Sequence, residues 1–254
     1  MEIIHAVILA LVQGVTEWLP ISSSGHLLVA QSLLGVAVPI SFDMVLHIGT
    51  VAAVAVAFWR DIAGIISAVI RFRREDPLFR IGMLVVLGSI PTAAIGYLVS
   101  MVEERLLSLT SVGCALVLTS VILFISRYGR GIGGVGTKHA LLVGAVQGIA
   151  VIPGLSRSGS TISAALLVGV GKAEAFRYSM LLSIPAILGA TLLKVGEIAQ
   201  SGLEAEMLLG MVMSAVAGYL SIKALRKVLL SGRFHLFGVY CLVAGIAVLA
   251  YALL

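Results

Sequence analysis

Charge is scarce in this sequence. Of its 254 residues only 11% are Asp, Glu, Lys or Arg, where a soluble domain carries roughly a quarter. That shortage leaves no segment from which a soluble domain of useful size could be built. It excludes nucleotide-binding α/β enzymes and nucleic-acid modules, and no nucleic-acid partner is expected. Cysteine is almost absent as well. Cys114 and Cys241 each lie within an apolar run, where a thiol behaves as a small buried hydrophobe, so neither a disulfide framework nor a metal-thiolate site is expected. The first residues, Met1, Glu2 and Ile3, offer no basic stretch and no small-residue cleavage site. The first apolar segment is therefore expected to be retained structure rather than a removed signal peptide.

What the chain has in abundance is apolar sequence, 60% of the total. A helix crosses the ~30 Å hydrocarbon core in about 20 residues, so an all-α polytopic membrane protein is expected. Full-length spans are predicted at about 42–59, 81–102, 106–126, 176–196, 206–222 and 234–254. Two further apolar regions, 3–34 and 139–171, are interrupted by Pro20-Ile21-Ser22-Ser23-Ser24-Gly25 and by Pro153-Gly154-Leu155-Ser156-Arg157-Ser158-Gly159. Residues 3–17 reach only ~22 Å as a helix and residues 26–34 ~14 Å. Each region is therefore read as a re-entrant hairpin with a polar tip. A slightly short ordinary span over 3–19 is the alternative on length alone.

An internal repeat favours hairpins. A shift of 134 positions superposes His5-Ala6 on His139-Ala140, Val12-Gln13-Gly14 on Val146-Gln147-Gly148, Ser22 on Ser156, Ser24 on Ser158, Gly25 on Gly159 and Phe42 on Phe176. The chain then divides into repeat one (1–126), a Gly-rich linker (127–138) and repeat two (139–254), each with one hairpin and three spans. An odd number of crossings per copy turns the second upside down, an arrangement that places a binding site where the copies meet near midplane. Fourteen of the 17 Lys and Arg residues fall in connections 60–80, 127–138, 172–177 and 223–233, which are therefore expected in the cytoplasm. The opposite connections carry Glu103, Glu104 and Arg105, then Glu197, Glu204 and Glu206. Both termini are expected outside, with the first hairpin dipping from the outer face of the inner membrane and the second from the cytoplasmic face.

Several features have plain readings. Gly131-Ile132-Gly133-Gly134-Val135-Gly136 has dinucleotide-loop spacing but no strand before it, and is read as a flexible linker. Gly210, Ser214 and Gly218 form a small-residue packing seam, and such faces are compatible with a homodimer. Asp43 and His47 share a helix face; they serve either a site or a hydrated interface. His5, His139 and His235 sit near predicted interfaces and need no special role.

The chemistry is concentrated at the hairpins. Gln13 and Glu17 are one helical turn apart, followed by Ser22, Ser23, Ser24 and His26; the second tip holds Ser156, Arg157, Ser158, Ser160 and Thr161. Charges such as Glu17 and Arg157 at membrane depth persist where water or a ligand reaches them, although an ion pair pinning the hairpins would also retain them. The hydroxyls favour a ligand. A Gly/Ser-rich turn entering a helix presents free N–H groups and the positive end of the helix dipole to an anion, and Arg adds a planar fork suited to phosphate oxygens. Two facing tips suit an elongated anion with more than one phosphate.

Gln13-x-x-x-Glu17 with Pro20 through His26, and Pro153-Gly154-x-Ser156-Arg157-Ser158-x-x-Thr161, resemble the two signature motifs of the undecaprenyl-diphosphate phosphatase family, also called bacitracin resistance protein. The resemblance covers the whole chain and is strongest in the second motif. It implies two opposed hairpins in an inverted repeat and an outward-facing site that hydrolyses a polyprenyl diphosphate lipid to the monophosphate, recycling the carrier for cell-wall synthesis. Many members carry Glu where this chain has Gln13, so one negative charge is missing here. A lipid diphosphate brings about −3, against +1 from Arg157 and roughly +0.5 from each helix N-terminus. The deficit predicts a divalent cation, Mg²⁺ or Ca²⁺, held by Glu17, the Gln13 carbonyl and substrate oxygens. Ser23 is the expected nucleophile, with His26 as general base or acid; attack by His26 itself or by water is the competing version. Arg157 would clamp the transferring group, and Gln13, Ser22, Ser24, Gly154, Ser156, Ser158 and Thr161 would bind the substrate. A lipid transporter or scramblase using the same anion site is the alternative function, since inverted repeats with broken helices are the usual transporter plan.

Overall fold

The polypeptide changes direction wherever its sequence supplies a cap or a breaker, and twelve α-helices and one 3-10 turn result among the described residues. A computed structural model describes residues 2–193 and 205–253; Glu197 and Glu204 of the expected acidic connection lie outside them. Helix α1 (Ile3–Trp18) ends at Leu19, held extended with ψ 148 because Pro20 follows. Helix α2 (Ser23–Leu34) begins at Ser22 and stops at Gly35, a left-handed residue with φ 65. Then come α3 (Ile40–Ala57), α4 (Trp59–Ile70), α5 (Pro77–Ser100), α6 (Glu103–Leu106) and α7 (Leu109–Ser126). Asp76 caps α5 by accepting from Leu78 N at 2.8 Å, with Pro77 in the first helical position. The second part of the chain gives α8 (Thr137–Ile149), α9 (Arg157–Leu167), α10 (Lys172–Leu193), α11 (Ala205–Leu230), a 3-10 turn (Phe234–Leu236) and α12 (Phe237–Ala252).

Six of these segments are long and apolar enough to cross a membrane: α3, α5, α7, α10, α11 and 234–252. This is the all-α polytopic architecture the apolar runs predict, and the chain is a multi-pass membrane protein. Two boundaries differ from expectation. The connection over 60–80 contains α4, a 12-residue helix with Trp59, Ile66, Val69 and Ile70 exposed. The charged pair Arg60-Asp61 hides its apolar face from a scan for uninterrupted runs. Helix α11 continues eight residues beyond the expected end at 222, because Lys223, Arg226 and Lys227 are good helix formers and need only leave the membrane, not the helix.

Helices α1 and α2 pack as one hairpin and α8 and α9 as another, while α1 lies on α11, α5 on α8, α3 on α11 and α7 on α12. These contacts are close because they are made at small residues. A Cβ on Gly144 of α8 would stand 2.0 Å from the carbonyl oxygen of Gly88 in α5, and one on Gly14 of α1 would stand 2.6 Å from the carbonyl oxygen of Ser214 in α11. The Gly210, Ser214, Gly218 seam is indeed packing: Phe42 and Leu46 cover Gly210, Ser214 Oγ donates to Leu46 O at 3.1 Å, and Trp18 covers Gly218. Gly144→Ala is expected to cost about 1–3 kcal/mol through overpacking and to lower the detergent melting temperature by several degrees. Gly134→Ala, with nothing within 4 Å of its Cβ position, serves as the neutral control.

The linker departs from its flexible reading. Gly133 N donates to Gly169 O at 3.2 Å and Gly171 N donates to Gly133 O at 2.8 Å, which stitches the linker to the turn between α9 and α10. Val135 and Val170 are buried beneath the stitch.

Candidate active site at the hairpin tips

Glu17 ends α1 with its carboxylate buried, and three side chains from two distant parts of the chain converge on it. Arg157 Nη2 donates to Oε1 at 2.5 Å, Ser23 Oγ donates to Oε2 at 2.6 Å, and Gln13 Nε2 donates to the same oxygen at 3.0 Å. His47 Nε2 lies 3.8 Å from Oε2. A carboxylate in a low-dielectric interior needs such donors. The helical register supplies Gln13 one turn below, the tip supplies Ser23, and the second hairpin supplies Arg157.

The tips touch directly. Gly154 N donates to Ser24 Oγ at 3.4 Å and Ser158 Oγ donates to Leu19 O at 3.2 Å. Thr119 of α7 holds the second tip by donating to Gly154 O at 3.3 Å and accepting from Ser156 N at 3.1 Å. Gly154 has φ +92 and a Cβ there would stand 2.7 Å from Ala115, so both its conformation and its packing require glycine. Ser22 adopts φ 70, which a serine does at some cost; its side chain then accepts from Gly25 N at 3.3 Å and caps α2.

The predicted substrate contacts divide into two groups. Ser22 and Ser156 each spend their side-chain oxygen on a helix cap, Ser156 accepting from Gly159 N at 3.1 Å. Thr161 is fully buried, donates to Arg157 O at 2.8 Å and shares a hydrogen with Ser179 Oγ at 2.6 Å, so it ties α9 to α10. Ser160 is buried, and its hydroxyl has no partner among the described residues. In contrast, Ser24 is exposed and Ser23 half-buried. Among the described residues the amides of Ser23 and Ser24, and of Arg157 and Ser158, have no protein acceptor. These are the free donors of two helix N-termini that face one another.

His26 stands apart from Ser23. Its Nδ1 is 2.7 Å from Ser22 O, its Nε2 is 2.7 Å from Tyr240 Oη, and its ring stacks on Tyr240 at 5.6 Å. The expected Ser23–His26 pair is thus replaced by a Ser23–Glu17 pair, because the end of α1 brings the carboxylate closer to Ser23 than the α2 helix brings its own imidazole. Three participants escaped sequence reasoning: Thr119, Tyr240 and Trp18. Trp18 is fully buried, with its ring 5.0 Å from the Arg157 guanidinium. His47 is partly exposed and also stands beside Glu17, and its Nδ1 is 2.8 Å from Asp43 O.

Among the described residues, the buried polar atoms without a protein partner around Glu17 include Gln13 Oε1, Arg157 Nη1 and Trp18 Nε1. Gln13 Oε1 is an acceptor beside a carboxylate, and Arg157 Nη1 a donor beside two helix N-termini. Among the described residues no group of three His, Cys, Asp or Glu could hold a metal ion. The oxygen donors Gln13 Oε1, Glu17 Oε2 and Ser23 Oγ suit a hard cation that arrives with phosphate ligands, not one caged by protein alone.

A family model described as bacitracin resistance protein BacA matches residues 6–247. The chain is 41% identical over 266 residues to the undecaprenyl-diphosphatase of Methanosphaera stadtmanae, covering 97% of this chain and 96% of that protein. It is 40% identical over 260 residues to the protein of the same name from Korarchaeum cryptofilum, with 98% and 99% covered. For Geobacter sulfurreducens the identity is 39% over 269 residues, with 99% and 98% covered.

Proposed function

The chain belongs to the bacitracin resistance protein family, and from that membership and the tip geometry we infer that it hydrolyses undecaprenyl diphosphate to undecaprenyl phosphate and inorganic phosphate. The observation that carries the chemistry is the single Glu17 carboxylate shared by Ser23, six positions on, and Arg157, 140 positions on. Phosphate release by the purified protein given undecaprenyl diphosphate tests it directly: turnover is expected, and its absence under every cation and pH tried would leave the family name without its chemistry here.

In the proposed reaction, the terminal phosphate sits between the two tips against the free amides of Ser23, Ser24, Arg157 and Ser158. Arg157 Nη1 binds a phosphate oxygen, which draws the guanidinium toward the anion and weakens its hold on Glu17 Oε1. Glu17 is then the better base. Ser23 Oγ attacks the terminal phosphorus, its proton passes to Glu17 Oε2, and the bond to the bridging oxygen breaks to release undecaprenyl phosphate. Glu17 passes that proton to the departing undecaprenyl phosphate and is a carboxylate again. Water then attacks the phosphoserine and gives its proton to Glu17, which returns it to Ser23 Oγ as the P–Oγ bond breaks and phosphate leaves. His26 and Tyr240 position the α2 tip through Ser22 O. Ser22, Ser156 and Thr161 act by holding the tips in shape.

A divalent cation, Mg²⁺ or Ca²⁺, held by Glu17 and the Gln13 carbonyl with substrate oxygens, would neutralise charge that one arginine leaves uncompensated. EDTA is accordingly expected to lower turnover at least tenfold. Because the ion travels with the substrate, neither EDTA nor Mg²⁺ should move the melting temperature of the protein alone. A stabilising shift by Mg²⁺ without substrate would indicate a resident site instead.

The repeat supports an inverted arrangement of two re-entrant hairpins in the inner membrane, with the site open outward and both termini outside. One side-chain contact and one shared cavity support a common basic side: Arg177 pairs with Asp61 from another basic connection, and Arg127, Arg130 and Lys172 border one cavity. A homodimer completes the proposal, through a face other than the Gly210, Ser214, Gly218 seam, which α1 and α3 cover within one copy.

A further inference from the structure

A cavity of about 380 Å³ opens at the basic end of the bundle, where α7, α9 and α11 finish and α10 begins. Arg127, Arg130, Lys172 and His235 stand on its rim. Its floor is apolar, made by the buried side chains of Leu166, Leu229 and Phe234. Helix α9, 11 residues long, runs between it and the tips, so it lies about 16 Å from Arg157.

The wall of this cavity is built, and the glycine-rich segment 129–134 builds it. A Cβ on Gly131 would stand 1.9 Å from the carbonyl carbon of Gly169, and one on Gly129 would stand 2.6 Å from Leu166 O. Only glycine permits this approach, and the paired hydrogen bonds between Gly133 and residues 169 and 171 fix it. The outcome is that Arg130, from the linker, and Lys172, from the start of α10, line one cavity. Lys172 Nζ lies against the turn at Gly232, which has φ +80.

The charges at this place are not balanced. No acidic residue lines the cavity, and among the described residues no carboxylate pairs with Arg127, Arg130 or Lys172. Arg127 Nη2 donates to Tyr128 Oη at 2.7 Å, a neutral partner that leaves its charge uncompensated. The C-termini of α7, α9 and α11 contribute about −1.5 in total, and the start of α10 returns about +0.5. Against that remainder stand three full positive charges, so about +2 is left. Arg127, Arg130 and Lys172 are exposed, so water and counterions compensate part of this charge; a phosphate seated over the apolar floor would take the place of those counterions, and arginine forks select phosphate oxygens. A basic pocket between membrane helices with an apolar base suits a phosphate group that carries an organic body.

We propose that this cavity is a second anion site, separate from the hairpin tips, that binds a phosphate-bearing ligand: the headgroup of an anionic phospholipid or free phosphate. The proposal rests on the rim charges and the glycine-built wall, and it stands whatever reaction the tips perform.

Native mass spectrometry of the whole protein released from nanodiscs of phosphatidylglycerol mixed with phosphatidylcholine reads the lipid arm. Calorimetric titration with inorganic phosphate reads the other. Wild type is expected to keep one phosphatidylglycerol, or to bind phosphate at one site. Arg130→Ala with Lys172→Ala should weaken whichever probe binds at least tenfold, with turnover on undecaprenyl diphosphate unchanged. The exposed pair Arg73→Ala, Arg74→Ala is the control and should have no effect. Lys172→Glu alone gives the same reading if the double variant is lost on purification. Retention of lipid alone assigns the site to a headgroup, and titration by phosphate alone to the free ion. Neither probe binding, or equal binding in wild type and the cavity variants, overturns the proposal.

Discussion

Arg157→Ala is expected to lower turnover on undecaprenyl diphosphate about a thousandfold, the upper end of what one donor aimed at a developing charge contributes. Arg157 has two tasks, and the experiment must separate them. One arm of its fork holds Glu17 at 2.5 Å; the other, Nη1, is buried without a protein partner. Removing the side chain leaves Glu17 buried with one charged partner fewer. Breaking such a pair costs about 3–5 kcal/mol, so a loss of activity could be a loss of fold. Glu17→Gln combined with Arg157→Ala removes both charges and is expected to recover most of the melting temperature lost by Arg157→Ala alone. It should recover none of the turnover. Arg157→Lys keeps the charge but not the fork, and is expected to stabilise the protein near wild type while leaving turnover at least tenfold down. If Arg157→Ala is stable and releases phosphate at a near wild-type rate, the clamp does not exist.

The Glu17–Arg157 meeting was legible in advance because physics constrains it: a charge at membrane depth must find a partner, and the two tips carry charges of opposite sign. The six long helices were legible for the same kind of reason, since apolar runs of this length leave few choices. Helix α4 was hidden because Arg60 and Asp61 open it and interrupt the apolar run. The tip serines show a different limit. Ser22 and Ser156 stand three residues before Gly25 and Gly159, and a hydroxyl in that position can cap a helix or bind a ligand with the same lone pairs; spacing does not distinguish these uses. Thr161 looked like a ligand for its motif position, but helical geometry returns its hydroxyl to Arg157 O. Thr119 and Tyr240 carried no local signal at all. Each is an unremarkable residue in an apolar helix until packing sets α7 against the second tip and α12 against His26.

Ser23→Ala should have the largest effect of any single change, about four orders of magnitude or more in turnover, as expected when the nucleophile of a concerted unit is removed. The structural cost should be small. Glu17 keeps Gln13 and Arg157 as donors, the cap at Ser22 is untouched, and Ser23 makes its one side-chain bond to Glu17. The melting temperature is therefore expected to stay within a few degrees of wild type, and the affinity for a non-hydrolysable diphosphate lipid within about threefold. His26→Ala acts on the same tip from the other side. It frees Ser22 O and Tyr240 without touching the Ser23 proton, so its loss of turnover should be the smaller of the two. Brief exposure to substrate labelled on the terminal phosphate, followed by rapid quenching, provides the deciding measurement. Label is expected on Ser23 in wild type and nowhere in Ser23→Ala. Label on His26 would transfer the nucleophile to the imidazole, and the 2.6 Å bond from Ser23 to Glu17 would then be part of the scaffold that shapes the tip.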